Sequence, residues 1–403
     1  MGIREGKARI CMPTGRNFTR RAFQCAFYEA QDVLSEIDDV DQIGLEPGKN
    51  FEVRESWHKR LLYHDFSKRL IFMNPGLKRV RLTQEYDLFV VMCPTYWDLL
   101  YVGAIEGWKD HCKTSVLWID EMWVAQLPSY KYWLHALRQF DHVFIGYKGT
   151  ARPLSEAIGK TCHWLPGAVD ALRFTPYPNP PERLVDVYSV GRRWDGIHRA
   201  LLDGSRKRGA YYVHDSFPSI AERQVYDHRQ HRELFANTAK RSRYFTVAPG
   251  KINTPEETHA QIEVGYRYYE GQAAGTVMIG QSPDCDAYRE LFPRADTVVP
   301  VQPDGSDVLK VLADLDSDPA HFSAMSRRNA ADALLRHDWL YRWKEILRTA
   351  GIEPSARLAA RERRLRELAD MAADSVAASE VHVNRSLKNR QESEQSAFAG
   401  AQS

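Results

Sequence analysis

Residues 263 to 280 read EVGYRYYEGQAAGTVMIG and bring two carboxylates and a guanidinium, Glu263, Arg267 and Glu270, within eight positions. On a helix, residues four and seven apart share a face, so the three would converge if one helix carried them all. Gly265 points to a helix start there instead, leaving Glu263 in the entering loop and Arg267 and Glu270 in the first turns. Either arrangement sets acceptors and a cation at the beginning of an element whose exposed backbone N–H groups favour anions. Such carboxylates can accept hydrogen bonds from the vicinal hydroxyls of a ribose or a sugar, and the N–H groups can take a diphosphate. Ala273, Ala274 and Gly275 keep the next turn slim against the apolar run TVMIG. The plainer alternative is a surface ion pair, which at this spacing stabilises a helix by ~0.2–0.5 kcal/mol.

Short apolar runs alternate with longer amphipathic stretches along the chain, the pattern of an α/β protein with parallel sheets. Strands are expected at 8–13, 86–93, 114–120, 141–147 and 160–170, and again at 184–191, 210–215, 243–249, 276–280 and 296–301. Their near-continuous hydrophobicity calls for helices on both faces. Between the two series, RFTPYPNPPERL (173–184) carries four prolines and must be a stiff, extended connection. The expected organisation is therefore a domain over 1–172, a linker over 173–183, a second domain over 184–335, a closing helix over 336–354 and a charged helix with a tail over 355–403. ARLAARERRLRELADMAADS shows an incomplete apolar stripe and reads as a solvated appendage, with self-association or a peripheral membrane contact as the alternative. The stretch 375–403, rich in Ser, Gln, Ala and Asn, reads as disordered.

A length of 403 residues suits two domains with additions. Hydrophobic residues make up 43% and charged residues 27%, as in globular proteins. With 55 basic against 53 acidic side chains, the net charge of +2 makes no case for nucleic acid, and no nucleic-acid partner is expected. Six cysteines without a C-x-x-C pair argue against a zinc site and a dense disulfide framework, and for a reducing, cytoplasmic setting. MGIREGKARICMP lacks the apolar core of a secretory signal. The apolar stretch 86–108 is broken by Pro94 and Asp98 and falls short of the ~20 residues a membrane span needs. D-x-D occurs four times, so it discriminates nothing. None of these features addresses the oligomeric state.

RYYEGQAAGTVMIG resembles the R-x-x-E-x-x-A-x-G segment of GT-B glycosyltransferases, and most resembles the family 1/4-like group that includes CgeB-type proteins. In order along the chain, LPGAVDALRFTP (165–176), VDVYSVGRR (185–193), HRELFANTAKRSRYFTVAP (231–249), DAYRELFPRADTVVPV (286–301) and RHDWLYRWKEIL (336–347) resemble further pieces of those enzymes. The likeness spans roughly 160–350, while the first half matches only as a generic α/β domain. It implies a GT-B fold of two Rossmann-like domains facing a cleft. It also implies a hexosyltransferase-type enzyme of polysaccharide biosynthesis, independent of metal and without a cofactor beyond its nucleotide-sugar substrate. That enzyme would move a sugar, with retention, to a glycan or small-molecule acceptor.

On this resemblance Glu270 accepts from the ribose, near Gly265 at the helix start. Arg192 or Arg193 pairs with the donor diphosphate, and Arg199 replaces a lysine common in the family. Many relatives carry E-x7-E, which would put a glutamate at 262, where this chain has Ile. Either Glu263 still faces the sugar through a loop shift, or Arg267 takes over that contact. On the acceptor side the loops after the strands nominate Arg16, Asp120 and Glu121, and His111 would assist the leaving phosphate. The irregular spacing keeps open a non-catalytic, glycosyltransferase-like interaction protein. A nucleotide-sugar 2-epimerase on the same scaffold is the other alternative.

Overall fold

The computed structural model describes residues 8–62, 70–215, 224–252 and 254–373. Among the described residues two open sheets form, parallel throughout, beside a short two-stranded parallel pair of Val80–Arg81 with Ile105–Glu106. The first contains β1 (Ile10–Thr14), β2 (Val40–Gly44), β3 (Tyr86–Thr95), β4 (Cys112–Glu121), β5 (His142–Ile145) and β6 (Cys162–Trp164), in the order β2-β1-β3-β4-β5-β6. The second contains β7 (Val185–Ser189), β8 (Tyr212–His214), β9 (Ser242–Val247), β10 (Val277–Gly280) and β11 (Val298–Pro300), in the order β8-β7-β9-β10-β11. Each sheet reverses its winding beside its first strand, and at such a point the C-terminal ends of the strands open a crevice.

The continuous apolar runs are explained by the packing. Along β3 and β4, Leu88, Val90, Val116 and Trp118 join one core, while Phe89, Val91, Leu117 and Ile119 join another on the opposite face. Side chains alternate across a strand, so a sheet covered on both sides needs an apolar residue at every position. β2 carries no such run: of VDQIG only Val40 is buried, because this strand lies at the sheet edge. It was absent from the sequence expectation for that reason.

The helix Trp339–Thr349 follows the second domain in sequence but packs on the helix Cys25–Ile37 of the first. Val169 N–H donates to the His337 carbonyl at 3.0 Å, Trp339 N–H to the Val169 carbonyl at 3.1 Å, and the Trp343 indole to the Ala30 carbonyl at 2.9 Å. After Phe174 no regular element occurs until Val185, as the prolines require.

The helix over 356–373 corrects the expectation of a solvated appendage. Leu358, Leu365, Leu368 and Ala372 are all buried, the three leucines in the main core. They continue a 3–4 spacing in which Arg361 occupies the remaining position. Arg361 is buried too, donating to Asp338 at 2.9 and 2.8 Å, to Asp170 at 2.7 Å and to Glu36 at 2.8 Å. A charge interrupted the apolar stripe, and only the tertiary fold supplies the carboxylates that let it be buried. The tail expected to be disordered lies outside the described residues. No helix among those described is long and apolar enough to cross a membrane. All six cysteines are free thiols.

Candidate functional site

The C-terminal ends of β3, β4 and β5 face those of β7 and β9 across a cleft. From the first domain come Asp120 and Glu121 at the end of β4 and Tyr147 just past β5. From the second come the turn Val190–Trp194, Lys251 and the segment 261–267. The Tyr266 hydroxyl donates to Asp120 Oδ1 at 3.0 Å, and Lys251 pairs with Glu121 at 2.8 Å. Gln261 receives the Val124 N–H at 3.0 Å and donates to Thr150 Oγ1 at 3.0 Å. Burial pushes the Asp120 carboxyl up to about 7, the Tyr266 hydroxyl opposing and the Glu121 charge adding to the rise. A carboxyl poised near neutrality at a strand end in a cleft is suited to moving a proton.

Glu270 lies 1% exposed in the second turn of the helix Tyr266–Ala273. Arg232 and Arg267 each donate to one of its oxygens. Burial alone would raise its pKa, but the Arg267 and Arg232 charges outweigh this and hold it below the ordinary glutamate value. Arg232 reaches on into the first domain, gripping Glu29 through two nitrogens at 2.7 and 3.0 Å. Glu29 also accepts from Asp170 N–H at 2.8 Å and from the Trp339 indole at 3.1 Å. One buried cation therefore ties the helix Cys25–Ile37, the helix His228–Lys240 and the helix Tyr266–Ala273 together. The Arg267–Glu270 pair is thus neither the solvated surface bridge of the plainer reading nor a carboxylate free of partners.

The remaining expected residues divide sharply. Arg267 joins the turn after β7, its Nε donating to the Val190 carbonyl at 3.1 Å. Arg192 is exposed in that turn, with no hydrogen-bonding or ionic partner among the described residues, and its charge acts on the buried Tyr147 hydroxyl across the cleft. Arg193, beside it, is committed to Asp215, whose other oxygen takes the Gly191 N–H at 2.9 Å. Arg199 is exposed on the following helix, Asp195–Arg208. Gly265 caps the helix start with φ −84° and ψ 161°, a conformation open to any residue.

Three expectations need correction. Glu263 is 3% exposed and accepts from Gly149 N–H at 3.1 Å and Gln261 at 2.7 Å. It caps the helix Lys148–Ile158 of the opposite domain rather than facing an open site. His111 pairs with Glu85 at 2.9 Å at the outer, N-terminal end of β4, a whole strand away from the cleft. The strand is ten residues long, so ~30 Å separates the two ends. Arg16 is held by Asp32 at 2.8 Å and Gln31 at 3.0 Å, beside an Asp32 that also binds His228 at 3.1 Å and Arg229 at 2.9 Å. It supports the domain contact and offers no free group to an acceptor.

Tyr266, Tyr147, Lys251, Arg232 and Glu29 were not singled out from the sequence. Two carried a signal: Arg232 shares a helical face with Phe235, Ala236 and Ala239, all buried, and Glu29 interrupts an apolar stretch. A charge in such a place must find a buried partner. Beside Glu121 an open cavity of about 420 Å³ is walled by Tyr96, Trp97, Trp123 and Trp133, with Lys251 from the second domain.

No family model and no curated protein sequence matches the chain. Among solved structures, an alpha-glucosyltransferase in complex with UDP aligns at TM-score 0.53 and 12% identity over 86% of this chain and 100% of that one. The same kind of enzyme in complex with UDP and a 13-mer DNA containing an HMU base aligns at TM-score 0.53 and 12% identity, over 85% of this chain and 99% of that one. A further such complex aligns at TM-score 0.50 and 11% identity, covering 86% and 100%. The expectation of no nucleic-acid partner does not stand, since proteins of this fold are found bound to DNA and a balanced net charge is no bar to it. At these identities the likeness establishes architecture: the chain has the GT-B fold, two Rossmann-like domains facing a cleft.

Proposed function

We propose that the protein is a glycosyltransferase that takes a sugar from a nucleotide-sugar donor held by the second domain. One observation carries the reading. Two parallel sheets turn their ligand-binding strand ends toward one cleft, where Arg192 and Arg267 of the second domain gather opposite Asp120 and Tyr147 of the first. Cleavage of a nucleotide-sugar builds charge on the leaving diphosphate, and two guanidinium groups at a strand-to-helix turn suit phosphate oxygens. Arg192 is the cation best placed to meet that charge, with Arg267 beside it, held from behind by the buried Glu270, whose paired oxygens leave none for a ribose. Asp120 is assigned to the acceptor hydroxyl, as proton acceptor or as the group that orients it. Hexosyl transfer with retention, independence from metal, a CgeB-type affiliation and a cytoplasmic role in glycan synthesis complete the reading on the strength of the sequence resemblance. The UDP carried by structures of this fold makes a uridine nucleotide the first to try.

Thermal-shift titration with UDP, GDP, ADP and dTDP tests it. At a hundredfold excess over Kd, a binding nucleotide stabilises the folded state by ~2.7 kcal/mol. One of the four should raise the melting temperature by several degrees in the wild type and much less in Arg192→Ala. No shift with any nucleotide would remove the donor site and leave an interaction protein on an enzyme fold.

A further inference from the structure

Resting on the glycosyl-transfer reading, and naming the acceptor that reading leaves open, we infer that the aromatic groove beside Glu121 binds the end of an uncharged glycan. The groove is built from rings. Tyr96 and Trp97 stand with centroids 4.9 Å apart, and Trp133 meets them edge-on at 5.2 and 5.1 Å. Trp123, 1% exposed, forms the inner wall against Tyr147 at 4.7 Å. Trp97 and Tyr96 are half-buried and keep part of their surface toward the cavity, whereas Trp133, at 3% exposure, supports them from behind. A pyranose offers a C–H face to such a wall and hydroxyls along its edge, and Glu121 lies where those hydroxyls would be met.

The charges around the groove decide which ring-bearing ligand fits. A nucleic acid strand also stacks on aromatic rings, but it brings a phosphate for every base and needs cations to meet them. Among the described residues two lysines border this groove, and both are already paired. Lys59, whose Nζ lies 5.4 Å from the Trp97 ring centre, pairs with Glu55 at 3.0 Å. Lys251, at 5.3 Å from the Trp123 ring centre, pairs with Glu121 at 2.8 Å and Glu257 at 2.7 Å. Among the described residues, three glutamates face two lysines, which leaves no unpaired cation there for a phosphodiester or a uronate. An uncharged saccharide requires none.

The test presents the labelled full-length protein to a glycan array of neutral and acidic structures, with a single-stranded oligodeoxynucleotide as competitor. UDP thermal shift is measured in parallel on wild type, Trp97→Ala and Trp97→Phe. The expected result is binding to neutral glycans only, weakened about tenfold or more by Trp97→Ala, the equivalent of one ring contact, and largely kept by Trp97→Phe. The UDP shift should be the same in all three proteins. Absence of any neutral-glycan signal, a signal indifferent to Trp97→Ala, or displacement by the oligonucleotide overturns the inference while an intact UDP shift leaves the donor site standing. Neutral-glycan binding without a shift from any nucleotide would refute the transferase reading on which the inference rests.

Discussion

Replacing Arg232 by methionine keeps most of the side-chain volume and deletes the one cation shared by Glu29 and Glu270. In the folded protein Arg232 is 2% exposed and its partners are 0% and 1% exposed, so water cannot replace what is removed. Glu29 would keep the Asp170 N–H, the Trp339 indole and a long contact to Arg173 at 3.5 Å, and Glu270 would keep Arg267. Breaking a buried pair from one side costs about 3–5 kcal/mol because a charge is left buried and undercompensated. With ~2–4 °C lost per kcal/mol in a domain of this size, the melting temperature at pH 7 should fall by roughly 6–20 °C.

Adding Glu29→Gln to Arg232→Met should recover at least half of that loss. A glutamine oxygen can still accept from Asp170 and Trp339 without burying a charge. The pH dependence has a definite sign. Glu270 is held below its ordinary value of 4.5, so its contribution is present above that pH and is lost as the pH falls through its lower folded value. The gap between wild type and variant should therefore be widest near neutrality and narrow in acid. Thermal unfolding followed by circular dichroism from pH 8 down to about pH 2 measures all of this. A variant melting within ~2 °C of wild type, or a second substitution that deepens the loss, would refute the assignment of the domain contact to this cation.

Asp120, pushed up to about 7 from 3.8, works against stability as the pH rises between those values, because the unfolded chain gives up its proton first. Asp120→Asn should accordingly raise the melting temperature more at pH 8 than at pH 5, and a pH-independent effect would contradict the burial argument. If Asp120 serves the acceptor hydroxyl, kcat/KM in the wild type should climb through about pH 7, and that limb should vanish in the asparagine variant. Gly280, at φ 146°, ends β10 where a Cβ would overlap the Val247 carbonyl oxygen, so Gly280→Ala should cost more than ~2 kcal/mol, read from urea unfolding.

The strands of both sheets were legible because a parallel sheet buried on two faces writes an unbroken apolar run into the sequence. The edge strand Val40–Gly44 was not, since an edge needs no such run. At the site, Asp120 and Glu121 could be placed from the chain alone: they end an apolar run, and the ends of parallel strands are where these folds bind ligands. The same logic misplaced His111, which immediately precedes the strand that Asp120 nearly ends, so that direction along the strand rather than proximity in sequence settles which of them reaches the cleft.

By itself, then, the sequence determined local matters: which runs become strands, where glycine and proline interrupt them, and that Arg267 and Glu270 start one helix. Tertiary structure alone decided the partners of the charges. Glu270, Arg232, Glu29 and Arg361 lie far apart along the chain, and whether each is solvated or buried depends on which opposite charge the fold carries to it. A carboxylate's surroundings over a few ångströms fix its protonation and its use, and those surroundings are assembled from segments that no local pattern connects.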